Sequence, residues 1–227
     1  MSGYFIAGTD TGVGKTRVMK GLLLGLVALG HRPLGMKPVA AGLIATDQGH
    51  FNEDVLEICS VTGQDPVDRR INPYALKEPL SPHISAEREG ICIDIESIHT
   101  AFEALSAEQR PLLIEGAGGW LSPISGQQTM ADIAVALRLP VLLVVGLRLG
   151  CLNHAQLTAQ AIRNSGLPLA GWLGTQPQRE FAAVDDNVRT LSRLLGAAPL
   201  AVLPWQPDPH SGSEAALLRA AAAQLFA

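Results

Sequence analysis

Short apolar runs alternate along the chain with longer stretches of helical periodicity. Tyr4 to Ala7 is an apolar run ending at Gly8 and reads as a buried strand. Arg17 to Leu29 has helical character, and Gly30 stops it. Leu34 to Val39 is a second strand, and Glu53 to Val61 a helix ended by Gly63. Gln64 to Ser85 is rich in proline and polar residues, which predicts mostly loop. Asp94 to Ser106 is helical, and Leu112 to Glu115 is a strand running into glycines. The pattern then repeats: helix Met130 to Leu137, strand Val141 to Val145, helix Asn153 to Asn164 closed by Gly166 and strand Leu169 to Leu173. Helix Asp185 to Leu195, strand Leu200 to Leu203 and helix Glu214 to Phe226 complete it. A strand as uniformly apolar as Val141 to Val145 suits a parallel sheet covered on both faces. The expected architecture is therefore α/β, in three layers, with a mostly parallel central sheet flanked by helices joined through right-handed βαβ units. Ligands in such sheets gather at the carboxyl ends of the strands.

Composition narrows the partners. The 227 residues fit one domain, 1–227, and 47% hydrophobic against 17% charged residues can build a large core. The formal net charge is −4 and no basic block occurs, which argues against nucleic acid or an anionic membrane as partner. Cys59, Cys92 and Cys151 form no CxxC pair, and reduced thiols in a cytoplasmic protein are the simplest reading. The first residues lack the basic region of a signal peptide, and no run of 18 apolar residues is present.

The chemistry concentrates at strand ends. Gly8-Thr-Asp-Thr-Gly-Val-Gly-Lys-Thr16 follows a strand and opens a helix, the context of a P-loop. Its glycines let backbone N–H groups turn toward phosphate oxygens, and the helix N-terminus adds unpaired donors. Lys15 would reach the β- and γ-phosphates, and Thr16 would offer its hydroxyl to Mg²⁺. Five residues separate Gly8 from Gly14, one more than in GxxxxGK[ST]. Together with the alternation this predicts a P-loop NTPase fold binding a nucleoside triphosphate and Mg²⁺. Glu115 ends an apolar strand and precedes Gly116-Ala-Gly-Gly119, the place of a Walker-B acid. Asp54 stands in a first helical turn, where an acid also serves simply to complement the dipole. Lys37, in Met-Lys-Pro-Val, ends the second strand; it suits either charge stabilisation in phosphoryl transfer or a solvated strand end.

Taken in order, the P-loop, Lys37-Pro-Val39, Asn72-Pro-Tyr74, Ser81-Pro-His83, Glu115-Gly-Ala-Gly-Gly119 and Gly150-Cys-Leu-Asn-His154 resemble the dethiobiotin synthetase family. The matches run to about Trp205, and the longer P-loop is itself a feature of that family. The resemblance implies that 7,8-diaminononanoate is carboxylated with CO₂ and closed to dethiobiotin using ATP and Mg²⁺, through a carbamate and a carbamic–phosphoric anhydride. It implies Lys37, Lys15 and Thr11 in catalysis, and Thr16, Asp54 and Glu115 as metal ligands. Nucleotide contacts fall to Gly12, Val13, Gly14, Lys15, Thr16, Arg17, Asp54, Glu115, Gly116, Ala117 and Gly118. Thr175, Gln176, Pro204, Trp205 and Gln206 flank the base. Substrate contacts fall to Thr11, Lys37 and Ala41, and to Gly150, Cys151, Leu152 and Asn153, whose helix-start N–H groups would hold the substrate carboxylate of a partner subunit; a homodimer is implied. Cys151 is read as a small turn residue, since the reaction needs no thiol nucleophile, and His83 and His154 as local hydrogen-bonding groups.

Two positions depart from the family pattern. Ala41 stands where a serine is common, and Thr175 where an asparagine reads adenine, which implies a weakened preference for ATP. A ParA/MinD-like switch ATPase is the alternative, but such proteins carry a lysine where this loop has Asp10. A metal-chaperone GTPase would want a Cys/His cluster, and a cobyrinate-type amidotransferase a glutaminase domain; neither is found.

Overall fold

The computed structural model of the chain describes residues 3–207 and 214–226. Six strands form one parallel sheet in the order β10-β9-β8-β1-β7-β2. They are β1 (Gly3–Gly8), β2 (Leu34–Met36), β7 (Leu112–Glu115), β8 (Val141–Gly146), β9 (Leu169–Thr175) and β10 (Ala201–Leu203). The helices are α1 (Lys15–Ala28), α2 (Glu53–Thr62), α3 (Pro82–Glu89), α4 (Ile95–Ser106), α5 (Met130–Leu137), α6 (Cys151–Asn164), α7 (Val184–Leu195) and α8 (Glu214–Leu225).

The apolar strands sort their side chains by the two-residue period of extended chain. Phe5, Ala7, Leu112, Ile114, Val141, Leu143 and Val145 join one core cluster, which includes residues of α4, α5, α6 and α7. Ile6, Leu113, Leu142, Val144 and Leu173 join the other, against Val18, Leu22 and Leu26 of α1 and Leu218 and Ala222 of α8. Both faces are covered, as a uniformly apolar parallel sheet requires. The helices α1 and α8 pack closely because Gly25 has no side chain: a Cβ there would lie 3.1 Å from the Arg219 Cα and 3.2 Å from the Ala222 Cβ.

Three sequence expectations need correction. The strand expected over Leu34 to Val39 is two strands, β2 and β3 (Val39–Ala41). Pro38 has no N–H for a ladder, so the chain leaves the main sheet there, and the Lys37 N–H donates instead to the Ile71 carbonyl at 2.8 Å. The stretch expected as mostly loop contains β6 (Tyr74–Leu76), which pairs in parallel with β3, and the start of α3. Pro82 lies in the first turn of α3, where a missing N–H costs nothing. A small antiparallel hairpin, β4 (Ile44–Thr46) with β5 (Gly49–Phe51), was not anticipated; its strands are too short and exposed to show a pattern. Helix starts also move: α1 begins at Lys15 and α6 at Cys151, two residues earlier than their periodicity indicates.

Gly25→Val should destabilise the protein by about 1–3 kcal/mol, because two added methyls meet the backbone of α8. Urea unfolding measures this; a variant within about 0.5 kcal/mol of wild type would show that the two helices are free to part.

Candidate functional site

The carboxyl ends of β1, β2 and β7 open onto a cleft of about 1060 Å³. The P-loop runs from β1 into α1, with Gly12 and Gly14 at φ 71° and 84°, a region that favours glycine. Lys15 is buried at the base of the loop, and its Nζ donates to the Asp10 carbonyl at 3.1 Å.

Four side chains meet beside it. Lys37 Nζ lies 2.6 Å from Asp54 Oδ2 and 2.6 Å from Glu115 Oε1. Thr16 Oγ1 lies 2.8 Å from Asp54 Oδ1 and 2.9 Å from Glu115 Oε1. A hydroxyl carries one proton, so only one of those carboxylates receives it fully. Glu115 is completely buried at the end of β7. Its Oε2 has no hydrogen-bond partner among the described residues.

Two asparagines aim this cluster. Asn52 caps α2: its Oδ1 accepts the Asp54 N–H at 3.0 Å, while its Nδ2 donates to the Ala41 and Gly42 carbonyls at 3.1 and 3.0 Å. The first turn of α2, and Asp54 with it, is thereby pinned to β3. Asn72 Nδ2 donates to the Lys37 carbonyl at 2.7 Å and the Tyr74 carbonyl at 3.2 Å, holding the lysine at the break between β2 and β3. Neither was assigned a role from sequence. For Asn52 the available signal was its place just before a helix opening on acids.

The charges are tightly coupled. Burial alone would lower the Lys37 ammonium, but the Glu115 and Asp54 carboxylates push it above the usual lysine range. Burial and the neighbouring Asp54 charge push Glu115 up against the pull of Lys37. Burial also works to raise Asp54, yet Lys37 and the Thr16 hydroxyl hold it below the ordinary carboxylate range. Two carboxylates thus share one ammonium and do not ionise with equal ease. Lys15 is brought down to about 8, first by burial and then by the Lys37 charge.

Mg²⁺ prefers a hydroxyl, carboxylates, phosphate oxygens and water. The convergence of Thr16, Asp54 and Glu115, with an orphaned buried carboxylate oxygen, fits such an ion. Among the described residues no three His, Cys, Asp or Glu side chains form a metal cluster of their own, so the remaining ligands would have to come from phosphate and water.

The cleft brings together most of the residues singled out from sequence. Thr11, Gly12, Gly14, Arg17, Ala41, Ala117 and Gly118 line it with the four-residue cluster. Thr175, Gln176, Trp205 and Gln206 line it as well. Val13 is buried beneath the loop, and its carbonyl accepts the Thr175 hydroxyl at 2.6 Å. Arg17 Nη1 donates to the Pro204 carbonyl at 2.7 Å. The Gly116 N–H is taken by the Ile6 carbonyl at 3.0 Å. Gly150, Cys151, Leu152 and Asn153 start α6 outside the cleft. Cys151 is buried and its thiol is pushed up by burial, in keeping with a packing role. The wall formed by Pro79, Leu80, Ser81 and Pro82 was not assigned from sequence, although Ser81-Pro-His83 belonged to the family motifs.

A parallel sheet whose strand ends carry a phosphate loop, a buried lysine and an acid, with a second acid from a helix start, defines a P-loop nucleotide-binding protein, and the AAA domain family model matches residues 2–211. The chain is 42% identical to the ATP-dependent dethiobiotin synthetase BioD of Xanthomonas oryzae over 212 residues, 93% of this chain and 95% of that relative. It is 43% identical to the protein of the same name from Nitrosospira multiformis over 217 residues, 95% and 94% of the two chains. The chain belongs to the ATP-dependent dethiobiotin synthetase family and is a ligase of biotin biosynthesis that uses ATP. Among solved structures, MinD of Pyrococcus furiosus superposes with a TM-score of 0.65 over 100% of both chains, at 16% identity. MinD of Pyrococcus horikoshii, complexed with Mg-ADP, gives 0.64 over 99% of this chain and 96% of that one, at 16% identity. That likeness is one of fold alone. Among the described residues, no helix is long and apolar enough to cross a membrane.

The lowered Lys15 makes a pH signature. A triphosphate favours the charged amine, which is already formed below pH about 8; above it, binding must take up a proton. ATP affinity should be flat up to pH about 8 and then fall by up to about tenfold per unit. Calorimetry in buffers of differing ionisation enthalpy should register proton uptake near pH 9, a value taken about one unit above the lysine. Uniform affinity without uptake would contradict this account of Lys15.

Proposed function

We propose that the cleft carries out carboxylation and ring closure of 7,8-diaminononanoate, with Lys37 at the reacting centre. One amine of the substrate adds CO₂ and loses a proton to give a carbamate. A carbamate oxygen attacks the γ-phosphorus of ATP, the bond to the β–γ bridging oxygen breaks, and ADP leaves. The second amine then attacks the carbonyl of the carbamic–phosphoric anhydride. Phosphate departs as the carbon–nitrogen bond of the ureido ring forms.

The observation that supports this most is the buried Lys37 ammonium facing the cleft between P-loop and acids. Phosphoryl transfer gains chiefly from positioning and charge neutralisation. Lys15 bridges the loop and the terminal phosphates, and Lys37 offsets the charge of the carbamate and of the transferring group. Thr16, Asp54 and Glu115 would hold Mg²⁺, which supplies further neutralisation of the phosphate oxygens. Thr11 faces the cleft from the loop tip and suits contact with the substrate.

A homodimer is part of the proposal. The N-terminus of α6, with Gly150 to Asn153, has N–H groups suited to a carboxylate but lies away from the cleft of its own chain. It suits a carboxylate bound in the cleft of a second copy. Leu149 at this turn is 94% exposed, and Leu157 on α6 stands exposed next to Leu121, an arrangement a partner would cover.

Incubating the protein with diaminononanoate, bicarbonate, ATP and Mg²⁺ should yield dethiobiotin by mass spectrometry. Lys37→Ala should lower kcat by about 10²–10³-fold. No product above the enzyme-free control, from folded protein, would reject the reading, and a near-wild-type Lys37→Ala would remove that residue from it.

We further infer relaxed recognition of the base. The Thr175 hydroxyl already donates to the Val13 carbonyl, and Gln176 Oε1 accepts the Trp205 N–H at 3.1 Å. With its proton committed, Thr175 cannot offer adenine the paired donor and acceptor of an amide. The kcat/KM values for ATP, CTP and GTP should agree within about tenfold, the effect expected when one paired contact is missing. An ATP preference above about a thousandfold would overturn this.

A further inference from the structure

Asp10 is an acid at the tip of a loop shaped for phosphate, where an uncompensated negative charge would repel its ligand. Three contacts converge on it. Its carbonyl accepts Lys15 Nζ at 3.1 Å, its Oδ1 accepts the Thr11 N–H at 2.7 Å, and its Oδ2 accepts Arg148 Nη2 at 2.6 Å. Arg148 comes from a different part of the chain. It follows β8 in the turn that leads into α6, and its carbonyl accepts the Cys151 N–H at 3.0 Å, closing that turn. The two loops leave neighbouring parallel strands, Gly8 of β1 being in register with Val144 of β8. Both partners are partly exposed, Arg148 at 32% and Asp10 at 49% of the side chain, so the pair contributes little to stability and its effect is local.

We propose that Asp10 and Arg148 are a positioning pair with two consequences. Arg148 cancels the charge of Asp10, letting the carboxylate orient the Thr11 N–H without opposing the triphosphate. The same ion pair ties the start of α6 to the phosphate loop. The loop that receives the nucleotide and the turn suited to the substrate carboxylate are then set relative to each other by one side-chain contact. The second consequence rests on the function proposed above; the first requires only nucleotide binding.

The test compares Arg148→Gln, Arg148→Lys, Asp10→Asn and the double variant Asp10→Asn/Arg148→Gln, each checked for an unchanged thermal midpoint. ATP affinity is measured by calorimetry without the second substrate. Arg148→Gln should weaken ATP binding about five- to twentyfold, the effect of one exposed carboxylate on several phosphate charges. Arg148→Lys keeps the charge and should stay within about threefold of wild type. The double variant removes both charges and should recover to within about threefold of wild type. Arg148→Gln within about twofold of wild type, or a double variant weaker than Arg148→Gln, overturns the charge-cancelling role. The KM for diaminononanoate should rise about fivefold or more in both Arg148→Gln and the double variant, since each loses the tie, and not in Arg148→Lys. An unchanged KM in those two variants overturns the tie to α6. If the wild-type protein makes no dethiobiotin, the functional reading fails, while the ATP measurements still decide the charge-cancelling role.

Discussion

The site depends on one buried ammonium shared by two carboxylates. Lys37 lies 2.6 Å from both Asp54 and Glu115, in surroundings where an isolated charge of either sign would be strongly disfavoured. Each group makes the burial of the others tolerable. The arrangement requires three segments distant in sequence, the ends of β2 and β7 and the start of α2, to arrive at one point. The parallel sheet supplies two of them directly, because its strands all end at the same edge. The third is brought in by Asn52, which fastens the first turn of α2 to the backbone at Ala41 and Gly42. Lys15, in the same cleft, is buried and feels the added positive charge of Lys37, and so holds its proton less firmly than a free lysine does.

The central layers of the fold were legible in the sequence because their signals are strong and local. Uniform apolar runs such as Val141 to Val145, punctuated by glycines, could not face water on either side. The candidate site was legible for a related reason: glycines and acids placed where apolar strands stop have few other uses. The less legible parts are those governed by pairing between distant segments. β3 and β6 are three residues each and make sense only against each other. The proline content of the stretch between α2 and α3 points to turns, and says nothing of a strand beginning at Tyr74. From pattern alone Asp54 reads as an ordinary first-turn acid; the family resemblance raises it to a metal ligand, and Lys37 lies beside it in a contact spanning 17 residues. The Asp10–Arg148 pair spans 138 residues and left no pattern to read.

Family membership and geometry carry different parts of the argument. Relatives above 40% identity over nearly the whole chain assign the enzyme class and the use of ATP. The MinD structures share the sheet and loop at 16% identity, a reminder that this architecture hosts unrelated tasks. At the end of β9, the Thr175 hydroxyl closes onto the phosphate loop at the Val13 carbonyl.

The departure of the chain from the main sheet at Pro38 divides the protein into regions under different constraints. Positions in β1, β7 and β8 are locked by neighbours on both sides and by cores above and below. Beyond Lys37, β3 pairs with β6 and β4 with β5, and β3 together with the stretch into α3 supplies one wall of the cleft. Val39 of β3 and Leu76 of β6 nonetheless join the core cluster of Phe5, Ile114 and Leu143 in the main sheet. Ala41 faces the cleft from a position off the main sheet. A cleft whose two sides belong to different sheets is thus anchored where the chain passes from one to the other, at Lys37.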